Sequence, residues 1–85
     1  MSEPLTVYTL PNCIQCTLTK RALDKTGLPY QVIDLTDNED ARTLVTRLGY
    51  QSAPIVITDT EHWSGYRPDK IAATTARSRT LDSNL

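Results

Sequence analysis

The chain has 85 residues, 39% of them hydrophobic and 22% charged, with a formal net charge of −1. That length holds one small domain, and the balanced charge excludes the clustered basic excess of a nucleic-acid-binding surface. No apolar run approaches the roughly 18–20 residues of a membrane span. Met1-Ser2-Glu3-Pro4 lacks the basic segment and apolar stretch of a signal peptide. A cytoplasmic, monomeric protein with neither nucleic acid nor membrane as partner is expected.

In chain order, Leu5-Thr6-Val7-Tyr8-Thr9-Leu10 is β-branched, aromatic and alternating, and predicts a strand ended by Pro11. Asn12 is a candidate N-cap, and Gln15 three residues on completes a capping box. The helix it opens runs to about Thr26, with Leu18, Ala22 and Leu23 on one face, and Gly27 supplies a left-handed stop. Tyr30–Leu35 reads as the second strand. Thr36 with Glu39 forms a second candidate capping box, and Ala41, Leu44, Val45 and Leu48 fall on one face of the helix that follows. The acids Asp37, Glu39 and Asp40 read as helix-start charges. Gly49 ends that helix.

Pro54 precedes Ile55-Val56-Ile57-Thr58, a short buried strand. Asp59-Thr60 turns the chain back into Glu61-His62-Trp63-Ser64, and Gly65 breaks the pattern. Pro68 fits the first position of a last helix, Asp69 to about Arg77. The domain is thus expected over residues 1–77, with 78–85 a flexible polar tail. The order β-α-β-α-β-β-α implies two parallel strands joined by a helical crossover and a final antiparallel hairpin. The fold class is α/β: a four-stranded mixed sheet flanked by three helices.

The chemistry concentrates at Cys13-Ile14-Gln15-Cys16, which holds the only two cysteines. In a reducing compartment this spacing reads as redox or metal chemistry rather than a structural staple. Placed in the first helical turn, Cys13 meets unpaired N–H groups and the positive end of the helix dipole, both of which favour a thiolate. A hydrogen bond from the Cys16 thiol and access to solvent act in the same direction. Cys13 is therefore the expected nucleophile, and the better-shielded Cys16 the resolving thiol. No cofactor is needed. A zinc site wants about four ligands, and two cysteines with one distant His62 do not supply them. A metal or iron–sulfur binding module shared between chains is the alternative from another class.

Three stretches carry a resemblance to a known family. They are Tyr8-Thr9-Leu10-Pro11-Asn12-Cys13-Ile14-Gln15-Cys16, Ser52-Ala53-Pro54-Ile55-Val56, and Trp63-Ser64-Gly65-Tyr66-Arg67-Pro68-Asp69-Lys70-Ile71. Together they resemble the glutaredoxin-like NrdH-redoxins. The last stretch is similar to that family's W-S-G-F-R-P-D signature, with Tyr66 in place of phenylalanine. The resemblance implies a thioredoxin fold and a cis peptide between Ala53 and Pro54 beside a Cys13–Cys16 redox disulfide. Ala53 and Pro54, with Gln15 and Trp63, are implied as the partner-binding surface, and Trp63, Ser64, Gly65, Tyr66, Arg67 and Pro68 as a structural motif. It implies a bacterial dithiol–disulfide oxidoreductase that donates hydrogen to the large subunit of class Ib ribonucleotide reductase. Thioredoxin reductase, using NADPH, would recharge it.

A glutathione-dependent glutaredoxin is the alternative. Such proteins resemble C-P-Y-C at the active site, where this chain has Ile14-Gln15. They also carry a Gly-Gly-x-Asp-Asp-like turn for the γ-glutamyl end, where this chain has Gly65-Tyr66-Arg67-Pro68-Asp69. Of the remaining residues, Tyr8 is expected in the core and Trp63 either in the core or at the contact surface. Ser64 is expected to hydrogen-bond within its turn, and Arg67 to pair with a carboxylate or carbonyl. His62 is expected to be a strand residue without redox duty. Lys20, Arg21 and Lys25 form a mildly basic helix face.

Overall fold

The computed structural model describes residues 5–83. Strand β1 (Leu5–Thr9) leads to helix α1 (Ile14–Thr26), strand β2 (Tyr30–Asp34) and a 3₁₀ turn (Leu35–Asp37). Helix α2 (Glu39–Arg47), strands β3 (Ile55–Ile57) and β4 (His62–Ser64), and helix α3 (Pro68–Ser83) follow. The sheet order is β2-β1-β3-β4. β1 pairs parallel with β2, and antiparallel pairs join β1 to β3 and β3 to β4. This is the expected thioredoxin-like architecture.

Period-two alternation puts two cores on the two faces of the sheet. Val7, Val56 and Trp63 lie in register across β1, β3 and β4. They pack with Leu5, Leu23 from α1 and Ile71 from α3. The neighbouring pair Tyr8 and Ile55 faces the other way, against Leu35, Ala41 and Val45 from the α2 side. The hairpin closes as expected around Asp59-Thr60. Thr58 N–H donates to the Glu61 carbonyl at 2.8 Å, and Thr58 Oγ1 accepts from Thr60 and Glu61 N–H.

Several local expectations are corrected. Cys13, not Asn12, caps α1: its φ of −110° and ψ of 106° are extended, and its sulfur accepts from Cys16 N–H at 3.0 Å. Asn12 instead takes a φ of +60°, a conformation its short polar side chain tolerates. The cap of α2 is Asn38, whose Oδ1 accepts from Ala41 N–H at 2.9 Å; Thr36 lies in the 3₁₀ turn, bound by Asp34. Leu35 belongs to that turn rather than to β2. On α1 the buried face is Cys16, Thr19 and Leu23, and Leu18 is exposed. On α2 the face is Ala41 and Val45, with Leu44 exposed. Helix α3 runs to Ser83, beyond Arg77, because no glycine or proline follows Pro68 to stop it. Gly27 ends α1 with a φ of 77°, as read from the sequence.

Candidate active site

The first helical turn of α1 is built on Cys13. Its carbonyl accepts from Thr17 N–H at 3.2 Å while its side chain bonds Cys16 N–H. A sulfur at an N-cap faces the orphan amides of that turn, so negative charge there is stabilised by hydrogen bonding and by the dipole. Cys13 and Cys16 form a disulfide, with Cα atoms 5.2 Å apart. The two sulfurs occupy different environments: Cys13 is partly exposed, whereas Cys16 is only 2% exposed. Of the two sulfurs, the one at the cap is thus accessible and the other is shielded.

Two further segments are tied to the turn between the cysteines. The Ala53–Pro54 peptide is cis. Gly65 N–H donates to the Pro54 carbonyl at 2.8 Å, and Ser64 Oγ donates to the Ser52 carbonyl at 2.9 Å. Ser64 thus ties β4 to the proline loop rather than serving its own turn. Gln15, from between the two cysteines, accepts from Tyr66 N–H through Oε1 at 3.1 Å. Gly65 takes a φ of +88°, and a Cβ there would lie 3.3 Å from that same oxygen. The signature read from sequence is therefore one knitted surface.

Arg67 pairs with the Asp69 carboxylate through two hydrogen bonds, at 3.1 and 2.9 Å. The hydrogen bond from Arg67 holds the Asp69 carboxyl below its ordinary value. Lys70 bonds Glu61 at 2.9 Å. Pro68 opens α3. Trp63 is 4% exposed and packs in the core, so its side chain presents almost no surface to a partner. Tyr8 is also core, and burial pushes its phenol up. His62 lies on β4 with Nδ1 2.6 Å from Tyr50 Oη and the two rings edge-on.

One cleft borders the disulfide, and a second lies beyond Leu10, which lines both. The first, of about 540 Å³, is lined by Thr9, Asn12, Cys13, Thr17, Lys20 and Asp34 and is largely polar. The other, about 270 Å³, is an apolar groove between α2 and the proline loop, lined by Leu10, Leu35, Val45, Tyr50, Ala53 and Ile55. Ile14 stands beside the disulfide, 78% exposed. Among the described residues no group of three or more His, Cys, Asp or Glu side chains is placed to hold a metal ion.

The Gln15–Tyr66 tie and the Ser64–Ser52 tie were not legible from local sequence. Gln15 carried a capping-box signal that pointed to its own helix. A glutamine exposed between two cysteines, beside a glycine-containing distant loop, is the only hint the chain offers.

Comparison with known proteins agrees with this geometry. A glutaredoxin family profile matches residues 5–63. The chain is 42% identical over 73 residues to the gene 56 protein of Mycobacterium phage D29, covering 84% of this chain and 81% of that protein. It is 36% identical over 67 residues to the glutaredoxin-like protein NrdH of Salmonella typhimurium, covering 79% and 83% respectively. The structure of the glutaredoxin-like NrdH-redoxin from Escherichia coli superposes with a TM-score of 0.80 at 34% identity, over 84% of this chain and 93% of that one. With its cap cysteine, buried second cysteine and thioredoxin-like sheet, the chain belongs to the glutaredoxin family, among its NrdH-redoxin-like thiol–disulfide oxidoreductases.

Proposed function

We propose that this oxidoreductase donates hydrogen to class Ib ribonucleotide reductase, acting on its large subunit. We further propose that NADPH-dependent thioredoxin reductase, rather than glutathione, recharges it. The observation that carries the second half is the engagement of the Gly65–Lys70 segment by its own chain. A glutathione enzyme keeps the polar groups of the corresponding turn for the tripeptide. Here Tyr66 N–H is bound by Gln15, the Asp69 carboxylate by Arg67, and the Lys70 ammonium by Glu61. A bound tripeptide would have to displace these partners, and the exchange returns little net energy. The Escherichia coli relative has a thioredoxin-like activity profile, which supports the same reading.

The cycle uses only the two sulfurs. Cys13 thiolate attacks one sulfur of the client disulfide; that S–S bond breaks, the other client sulfur leaves as a thiolate and takes a proton, and a mixed disulfide joins Cys13 to the client. Cys16 gives up its proton and attacks Cys13 Sγ, so the Cys13–Cys16 bond forms and the second client thiol departs. The client gains two electrons and two protons. A reductase dithiol then reverses the change on this chain. Among the described residues the Ala53 N–H and carbonyl have no hydrogen-bond partner, which suits main-chain pairing with an extended client segment at the apolar groove.

The test runs two recharging systems in parallel. The protein is incubated with a disulfide client, NADPH and either thioredoxin reductase or glutathione with its reductase, and NADPH loss is followed. Turnover is expected with thioredoxin reductase only. Brisk turnover with the glutathione system alone would establish the glutaredoxin reading instead. The ribonucleotide reductase link is tested by following deoxyribonucleotide formation with the class Ib enzyme as client.

A further inference from the structure

Three helical threonines satisfy their hydroxyls by bonding backwards. Thr17, Thr43 and Thr75 each reach the carbonyl four residues before them, at 3.3, 3.2 and 2.9 Å. Thr19 on α1 and Thr74 on α3 do not: each hydroxyl is buried with no hydrogen-bond partner among the described residues, and of the two only Thr19, 0% exposed, lies on the helix that carries the cysteines. An unpaired buried hydroxyl is costly, and a native structure that keeps one calls for a reason. The reason lies one turn away. Cys16, Thr19 and Leu23 form the buried face of α1. Residues three apart share a helix face, and each Cα–Cβ bond leans toward the helix start. Thr19 therefore leans toward Cys16.

The state of the sulfur decides whether the hydroxyl has a partner. In the disulfide, Cys16 has no S–H to donate, and its sulfur accepts no hydrogen bond from Thr19. Reduction by a dithiol donor breaks the Cys13–Cys16 bond. Two electrons enter, each sulfur takes up one proton or remains a thiolate, and the donor becomes a disulfide. Cys16 then offers an S–H donor and a freer sulfur acceptor, and a hydroxyl can match either. When Cys16 later loses its proton to attack the mixed disulfide, the hydroxyl can donate to the thiolate, a stronger bond.

We propose that the Thr19 hydroxyl is the buried hydrogen-bonding partner of Cys16 in the dithiol state, a positioning residue that favours the reduced form. This inference rests on the dithiol–disulfide reading of the site. Its direction is fixed: removing the hydroxyl relieves the oxidised form of an unpaired group and deprives the reduced form of a bond. Both effects move the equilibrium toward the disulfide.

The test equilibrates wild type, Thr19→Val, Thr19→Ala and Thr19→Ser with a dithiothreitol redox buffer and measures the reduced fraction. Thr19→Val and Thr19→Ala are expected to lower the equilibrium constant for reduction about tenfold, equivalent to a potential about 30 mV more negative. Thr19→Ser keeps the hydroxyl and should match wild type. In a Cys13→Ser background, Thr19→Val should also move the onset of Cys16 alkylation to higher pH. Wild-type equilibria in both Thr19→Val and Thr19→Ala, or equal shifts in all three variants, would overturn the inference. If Thr19→Val does not fold, Thr19→Ala decides the matter. Exchange by wild type with unchanged variants rejects the Thr19 role alone, whereas no exchange by wild type rejects the oxidoreductase reading with it.

Discussion

Gln15 and Tyr66 stand 51 residues apart, yet the Gln15 side-chain oxygen accepts the Tyr66 N–H at 3.1 Å. The bond joins the turn between the cysteines to the loop after β4. That loop is in turn held to the proline segment by the Gly65–Pro54 and Ser64–Ser52 bonds. Three stretches distant in sequence thus present one surface around Cys13.

Gln15→Leu removes the acceptor and keeps the volume. The Tyr66 N–H is near solvent, so water can replace the lost partner, and the expected cost is about 1 kcal/mol of stability. The larger effect is on recognition. KM for a protein disulfide should rise while the rate with a small disulfide stays near wild type. Steady-state kinetics with both substrates checks this; equal losses on both would place Gln15 in the chemistry itself.

Gly65→Ala acts at the same junction. The φ of +88° disfavours any side chain, and the new Cβ would press on Gln15 Oε1 at 3.3 Å. The left-handed conformation alone costs about 1–2 kcal/mol. Because the crowding falls on Gln15, the double variant Gln15→Ala, Gly65→Ala should lose less than the sum of the single losses. Urea unfolding of the four proteins in the cycle measures the coupling. Strict additivity would mean that the backbone conformation alone sets the cost.

Much of this was legible in the sequence because it is local. Strand alternation at Val7 and Val56, the left-handed stop at Gly27 and the Pro68 start of α3 each follow from residues beside them. The failures were choices of cap, Asn12 against Cys13 and Thr36 against Asn38, and of helix face. Asn12 and Asn38 are both good caps by type, and only the path of the chain puts Asn12 at positive φ and leaves the α1 cap to Cys13. Leu18 and Leu44 fit helical periodicity but face outward, since the sheet covers only the stripes of Leu23 and Val45. The contacts that assemble the site join Gln15 to Tyr66 and Ser64 to Ser52, and no local pattern encodes them. The family resemblance reached these residues without saying which atoms they would touch.

The two cysteines should separate cleanly by role. Cys13→Ser removes the accessible sulfur and should abolish exchange with any disulfide client. Cys16→Ser leaves Cys13 able to attack but removes the second step, so a mixed disulfide with the client should accumulate. Non-reducing electrophoresis detects that adduct, and reductant should dissolve it. Substantial turnover by Cys13→Ser would reverse the assignment of attacking and resolving thiols.

Tyr30 carries a pH dependence remote from the sulfurs. Its hydroxyl donates to Asp24 Oδ1 at 2.5 Å, joining β2 to α1. That hydrogen bond, followed by burial and the negative charge of Asp24, pushes the phenol from 10.0 up to about 12. The folded state therefore holds the proton more tightly than the unfolded chain does. The resulting stability is fully present below the unfolded value of 10.0 and is lost as pH rises through about 12. Tyr30→Phe lacks both the bond and the titration. The stability difference between wild type and Tyr30→Phe should be constant in neutral solution and shrink across that window, which the lysines common to both proteins do not affect. Urea midpoints measured at a series of alkaline pH values give the difference directly. A gap that stays constant to the upper end of the window would show that Tyr30 ionises in the folded protein as freely as in the unfolded chain.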